Sequence, residues 1–285
     1  MNPERILHVN GVDLCVQTFG SASDPALLLI GGAEASMDWW DADLCERLAA
    51  GARCVIRYDT RDTGRSTTFP VGAPPYDGEA LVADAVGVLD ALGIGAAHVV
   101  GISMGGGIAQ HVAVRHPDRV TALTLISTTP DGPGGPDDPD LPPMSARLAA
   151  VFAEPSQDAG PDWSDREAVI AHFLEGEEAF AGSVRLDEPR LRRIVGRAHD
   201  RSPIMAAAQN HWMLPEAGPV RDGLGGIRVP ALVLHGTEDP LFPYGHGEAL
   251  AREIPGAKLV PLPGVGHQMP PYETWDTVVS AILDL

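Results

Sequence analysis

Cysteine is nearly absent from this chain of 285 residues. Cys15, Cys45 and Cys54 show no C-x-x-C pair and no metal-ligand spacing with histidine, which excludes a disulfide framework and a cysteine-based zinc site. All three are expected to be small buried residues. Basic residues are scarce too: 20 Lys and Arg stand against 39 Asp and Glu, a formal charge of -19. Nucleic acid and anionic membrane surfaces both need a basic face, so neither is expected as a partner. Long apolar runs are missing, since Ala26 to Ile30 with its following glycines is far too short to span a bilayer. The start, Met1-Asn2-Pro3-Glu4-Arg5, lacks the apolar centre of a signal peptide, so a cytoplasmic location is expected. No H-E-x-x-H pattern occurs, and Gly101 to Gly107 fits neither G-x-G-x-x-G nor Walker A, so no metal and no cofactor are expected. What remains is a globular composition, 44% hydrophobic and 21% charged, in a chain long enough to bury a large core unaided.

Order along the chain is legible from its turns and runs. Asn10-Gly11 between Ile6–Val9 and the alternating Val12–Phe19 predicts a hairpin, because both turn positions must tolerate positive φ. Ala26-Leu-Leu-Leu-Ile30 is continuously apolar, as in a strand buried on both faces. From there strands and helices alternate: a helix over Asp41–Ala50, a strand over Arg53–Tyr58, and a helix capped by Asp77 and stopped by Gly93. A strand over Ala97–Ile102 follows, then a helix over Met104–Arg115 and a strand over Val120–Ser127. The rhythm breaks at Thr129, where Pro130, Pro133, Pro136, Pro139, Pro142 and Pro143 forbid either element. Helical patterns without a convincing strand run to about Gly218. Alternation resumes with a strand at Arg228–His235, a helix from about Gly247 to Glu253, a strand at Lys258–Leu262 and a last helix to Leu285. This order predicts an α/β fold with a mostly parallel eight-stranded sheet and helices on both faces. Residues 1–128 and 226–285 form its core, and 129–225 a mostly helical cap over one sheet edge.

The strongest chemical signal is Gly101-Ile102-Ser103-Met104-Gly105, a G-x-S-x-G pentad placed where a buried strand ends and a helix begins. That context suits a nucleophile elbow, whose tight turn lifts the serine hydroxyl clear of the sheet; the plainer alternative for Ser103 is a helix cap. A serine needs a base held by an acid. Of the ten histidines, His267 is favoured, on the glycine-lined loop Pro263-Gly-Val-Gly-His267 after a strand. His111 and His116 lie on the helix after Ser103, His8 and His98 belong to strands, and His246 begins a helix. His172, His199 and His211 belong to the insertion, where one of them could touch substrate, and His235 suits a structural hydrogen bond. The favoured acid is Asp239, in the loop after the preceding strand, with Glu238 and Asp222 as fallbacks. Ser103, Asp239 and His267 all fall at carboxyl ends of strands, where open α/β sheets gather their catalysts. Acyl transfer also needs two backbone N–H donors. Met104 is expected to supply one and Gly32 or Ala33 the other, although Gly31-Gly32 also reads as a simple strand-ending turn. The charged run Arg57 to Ser66, on the same edge, reads as ion pairs that hold a loop.

With these residues in place, the chain resembles the α/β-hydrolase superfamily, serine-nucleophile branch, and within it the aclacinomycin methylesterase group of polyketide-tailoring hydrolases. The segments that carry the likeness are Arg57-Tyr-Asp-Thr-Arg-Asp-Thr-Gly-Arg-Ser-Thr67, His98-Val-Val-Gly-Ile-Ser-Met-Gly105, Val229-Pro-Ala-Leu-Val233, Asp239-Pro240 and Pro263 to His267. It covers residues 5–128 and 227–285. One departure stands out: many relatives have His-Gly after the third strand, and this chain has Gly31-Gly32. The resemblance implies Ser103 as nucleophile, His267 as base and Asp239 as acid. It further implies a carboxylic ester hydrolase working through an acyl-enzyme, with an aromatic polyketide methyl ester such as an anthracycline carbomethoxy group as substrate. Alternatives on the same triad are a cofactor-free haloperoxidase or peroxidase-like activity and lactone hydrolysis; a non-catalytic binding protein of this fold is a further one. Dehalogenases and epoxide hydrolases usually place aspartate at the position of Ser103. The expected partner is a bulky, apolar small-molecule ester, and the expected assembly a monomer or homodimer. Trp39, Trp40, Phe152, Trp163, Phe173, Phe180, Trp212, Met144, Met205 and Met213 are candidates for the pocket wall, of which about a third should line it.

Overall fold

Asn10 and Gly11, at φ of 50° and 80°, turn β1 (Arg5–Val9) into β2 (Val12–Phe19), with Val9 opposite Val12. The computed structural model describes residues 2–132, 141–153, 160–215 and 217–285; Pro133, Pro136 and Pro139 lie outside them. The other strands are β3 (Ala26–Ile30), β4 (Cys54–Tyr58), β5 (Ala97–Ile102), β6 (Val120–Ile126), β7 (Ala231–Gly236) and β8 (Lys258–Leu262). They form one eight-stranded sheet in the order β1-β2-β4-β3-β5-β6-β7-β8. β1 and β2 pair antiparallel, and every pairing from β4 to β8 is parallel. β7 starts at Ala231 rather than at Arg228, as follows from Pro230, which has no N–H to give to a ladder.

The helices cover the sheet as the two-faced burial of its strands demands. In chain order they are α1 (Ala42–Ala50), α2 (Gly78–Ala91) and α3 (Met104–Arg115), then α4 (Ala146–Ala153), α5 (Arg166–Phe180) and α6 (Glu188–Arg201) between β6 and β7, and lastly α7 (Gly245–Glu253) and α8 (Trp275–Leu283). Leu28 and Ile30 of β3 join the cluster built with α2, α3 and α7, while Leu27 and Leu29 join the one built with α1 and α8. A continuously apolar strand is what a sheet with helices on both faces requires. Asp77 caps α2 by accepting the Ala80 N–H, and Gly93, at φ 71°, follows its end.

Strand order reverses at β3: the chain passes from β3 to β4 on one side, then returns to place β5 on the other. The carboxyl ends of β3 and β5 therefore border a crevice, the usual ligand position in open α/β sheets. Above this edge lie α5 and α6. Their Val169, Ile170, Phe173, Leu191, Ile194 and Val195 form a third cluster with Ala35 and Trp39, which follow β3.

Charge locks this helical pair to the sheet. Arg201, the last residue of α6, reaches Asp59 at the end of β4 at 2.6 Å and Glu4 at 3.1 Å, and it also bonds Asp38. The Asp59 carboxylate further accepts the N–H groups of Met37 (2.8 Å) and Arg65 (2.9 Å). Arg61 pairs with Asp84 at 2.6 Å, and Arg57 donates to Gln17 and to the carbonyl of Met37. The charged run after β4 is thus a network that holds its loop. Arg201→Met would leave the buried Asp59 carboxylate without its cation, while Asp38 keeps Arg197 at 2.7 Å. A loss of about 3–5 kcal/mol is expected, read as a lower midpoint in urea denaturation at neutral pH.

Candidate active site

The turn after β5 is built around close backbone contacts. A Cβ on Gly101 would lie 2.0 Å from the Gly105 carbonyl oxygen, and one on Gly105 would lie 2.4 Å from that of Ile30. Only glycine at both places lets α3 start this close to β3. Ser103 between them has φ 52°, a left-handed conformation that costs a non-glycine residue roughly 1–3 kcal/mol and persists only where surroundings enforce it. Those surroundings are specific. The Ser103 N–H donates to Ile126 at the end of β6, and its carbonyl accepts from Gly106, Gly107 and the Thr128 hydroxyl.

Held this way, Ser103 Oγ lies 3.0 Å from His267 Nε2, and His267 Nδ1 lies 2.9 Å from Asp239 Oδ2. With the Nδ1 proton facing the carboxylate, Nε2 is free to accept the serine proton. The His267 backbone N–H donates to the Phe180 carbonyl at 2.8 Å, which fixes the loop after β8 against α5. Asp239 is buried, and its Oδ1 accepts the N–H groups of Leu241 (2.9 Å) and Phe242 (2.8 Å). Burial alone would raise its carboxyl. The imidazoles of His267 and His235 and the Phe242 amide outweigh this and hold it below the ordinary carboxylate value.

The other candidates are placed elsewhere. Glu238 turns to the Ser183 N–H and hydroxyl, and Asp222 is exposed in the turn over Arg221–Gly226. His235 bonds the Phe242 carbonyl at 2.7 Å, His98 bonds Thr124, and His246 lies between Thr129 and the Pro142 carbonyl. His111 pairs with Asp131 at 2.7 Å. Met104 is the first residue of α3, where an N–H has no carbonyl one turn back. Gly32 packs against Ser103, its would-be Cβ only 3.5 Å from Ser103 Cβ.

A cavity of about 310 Å³ opens beside Ser103 and His267, with Gly32 and Ala33 in its wall. Trp39, Phe152, Phe173, Phe180 and Trp212 line it. That is half of the apolar candidates rather than a third. Trp40 lies instead in the core with α1 and α8, and Met205 packs against α5 and α6.

One of the three insertion histidines named from the sequence ties the insertion to the wall beside Ser103, in a role that the sequence did not assign to it. Buried His211, in the 3-10 stretch Met205–Met213, accepts the Glu34 N–H on Nδ1 at 3.0 Å and donates from Nε2 to the Arg61 carbonyl at 2.8 Å. Glu34 has φ 61° and is also bonded by the Trp212 indole N–H. Burial holds the His211 imidazole below its usual pKa, in keeping with a nitrogen that must stay an acceptor. The pairing joins residues 177 apart in the chain, so no spacing could announce it.

Comparison with known proteins identifies the family. A family profile described as the alpha/beta hydrolase fold matches residues 25–271. The chain is 35% identical to the rhodomycin D methylesterase DauP of Streptomyces sp. (strain C5), over 94% of this chain and 93% of that protein. It is 34% identical to the rhodomycin D methylesterase DnrP of Streptomyces peucetius, again over 94% and 93%. Among solved structures, the enol-lactonase of Burkholderia xenovorans LB400 superposes with a TM-score of 0.72 at 25% identity over 98% of each chain.

Two carboxylates, Glu34 and Glu177, share the wall of this cavity. Burial pushes Glu177 up to about 7 against the pull of His267, and Glu34 adds to the rise. A carboxyl whose folded pKa exceeds its unfolded value, about 4.3, favours the fold while protonated and loses that advantage as pH rises from about 4.3 to its folded value. Glu177→Gln is therefore expected to match the wild type in thermal stability near pH 4 and to exceed it near pH 8. Melting curves across that range check the sign.

Proposed function

The chain belongs to the α/β-hydrolase fold family, and from that premise we propose that it is a serine-dependent carboxylic ester hydrolase with Ser103, His267 and Asp239 as its catalytic triad. The observation that carries this reading is the unbroken hydrogen-bond chain from Ser103 Oγ through His267 to Asp239, at 3.0 and 2.9 Å, opening on an aromatic-walled cavity. His267 Nε2 takes the Ser103 proton as Oγ attacks the ester carbonyl carbon. The carbonyl oxygen becomes an oxyanion held by the Met104 N–H and by that of Ala33 or Gly32. Collapse breaks the bond to the leaving oxygen, which takes the proton from His267 and departs as the alcohol. A water then gives its proton to His267 and attacks the acyl-enzyme, and Ser103 regains its proton as the acid leaves.

The substrate we propose is a methyl ester of a polycyclic aromatic polyketide acid. Two relatives named as rhodomycin D methylesterases support it, together with five Phe and Trp side chains in the cavity wall. In this reading residues 129–225 act as a cap that supplies much of that wall, and 1–128 with 226–285 as the catalytic core. The enzyme would work in the cytoplasm as a monomer or homodimer.

Ser103→Ala removes the nucleophile and should lower kcat by about 10⁴-fold or more, with loss of labelling by a fluorophosphonate probe. Labelling that persists in the variant would remove Ser103 from this role. His211→Phe takes away the acceptor that holds the Glu34 N–H beside the second oxyanion donor. Steady-state kinetics on an aryl ester should show kcat reduced about tenfold or more, with KM changed much less.

A further inference from the structure

Ser103 borders two cavities, not one. The second, about 230 Å³, lies between α2 and α3 and reaches past Thr128 and Thr129 to Asp131. Among the described residues, Ser103 alone is common to the two linings. A methoxy group needs little more than the ~30 Å³ of a water molecule, so an ester that used only the first cavity would leave the second far larger than its leaving group requires.

The second cavity has Leu81, Val82, Ile108, Leu214 and Phe242 in its apolar wall, with His211, His111 and Asp131 among its polar groups. The His111 imidazole, 1% exposed in its side chain, bonds Asp131 Oδ2 at 2.7 Å, while the Asp131 side chain remains 33% exposed. His111 Nδ1 is buried and has no hydrogen-bond partner among the described residues. Asp131 is tightly fixed: its N–H donates to Gln110 Oε1, and its carbonyl accepts the N–H groups of Val220 and Arg221. The hydroxyls nearby are already used, that of Thr128 by the Ser103 carbonyl and that of Thr129 by His246. Gly107 faces the carboxylate: among the described residues, a Cβ there would meet Asp131 alone, at 3.2 Å. An immobilised carboxylate in an apolar chamber has lone pairs to accept a further hydrogen bond. With one carboxylate oxygen already bonded to His111, the other can accept from a hydroxyl.

We infer that the second cavity is a substrate subsite, and that the ester straddles Ser103 with its aromatic rings in the first cavity and a hydroxyl-bearing arm of its acyl part reaching Asp131 and His111 in the second. This rests on the hydrolase reading of Ser103 and narrows its substrate to acids branched beside the scissile carbonyl. Among the described residues of this chamber none bonds Ser103 Oγ as His267 does, so the His111–Asp131 pair serves recognition and takes no part in proton transfer.

Three esters test it: methyl naphthylacetate, and its derivatives with a butyl or a hydroxybutyl arm on the carbon next to the carbonyl. The wild type should favour the hydroxybutyl over the butyl ester by about tenfold in kcat/KM, the worth of a hydrogen bond to a charged group. The double variant His111→Leu with Asp131→Leu, which leaves neither partner orphaned, should bring the two esters level. Gly107→Leu fills the chamber and should lower both armed esters at least about tenfold relative to methyl naphthylacetate. Turnover of methyl naphthylacetate without any preference for the hydroxyl, or a preference that survives both variants, overturns the subsite while leaving the hydrolase reading intact. If none of the esters is turned over and Ser103 takes no fluorophosphonate label, the hydrolase reading fails and this inference with it.

Discussion

The approach of α3 to β3 is the constraint on which the site depends. Gly101 and Gly105 have no room for a side chain, because the carbonyls of Gly105 and Ile30 occupy the places where Cβ atoms would sit. That contact forces Ser103 into a left-handed conformation, and the bonds from Ile126, Gly106, Gly107 and Thr128 keep it there. The result is a hydroxyl carried on backbone that cannot relax, at the point where strand order reverses. His267 and Gly32 reach it from the carboxyl ends of β8 and β3. A site on rigid elements needs little ordering when substrate binds.

The second feature is how firmly the chain between β6 and β7 is tied to that edge. Arg201 joins α6 to Asp59 and Glu4, Arg190 joins it to Asp41 at 2.7 Å, and His211 joins the next stretch to the loops after β3 and β4. Arginine suits this work, since it keeps its charge when buried and offers several donors to carboxylates on different loops. A helical segment anchored in this way holds Phe173, Phe180 and Trp212 at fixed places in the cavity wall. The acidity of the chain, which in the sequence reads only as solubility, is partly spent in these pairs.

Local readings succeeded where a residue's role is decided by its neighbours in the chain. The Asn10-Gly11 turn, the Asp77 cap and the two-faced run Ala26–Ile30 each depend on backbone geometry or on a short apolar period. The G-x-S-x-G pentad, as a strand-to-helix turn, is of this kind. The charged run after β4 is legible as ion pairs, but its partners Gln17, Asp84 and Arg201 lie far along the chain. Element ends were read less sharply. β7 starts three residues later than its apolar pattern suggests, for want of an N–H at Pro230. The pocket wall was harder still: Trp39 and Trp40 are adjacent and alike, yet one lines the cavity and the other lies in the core beneath α8. Their difference is set by the turn at Met37–Trp39 and by what α5 and α8 bring to each side.

From composition, period and motif alone, this chain is an α/β fold with a serine at a strand-to-helix turn and a histidine and an aspartate after later strands. Those features are encoded within a few residues of each other, so the sequence suffices to read them. The distances of 3.0 and 2.9 Å that join the three, the His211 clamp on Glu34, the raised carboxyl of Glu177 and the pairing of His111 with Asp131 were decided only by folding. Each is a contact between residues brought together by packing, and its energy comes from burial that no single segment possesses before the layers close.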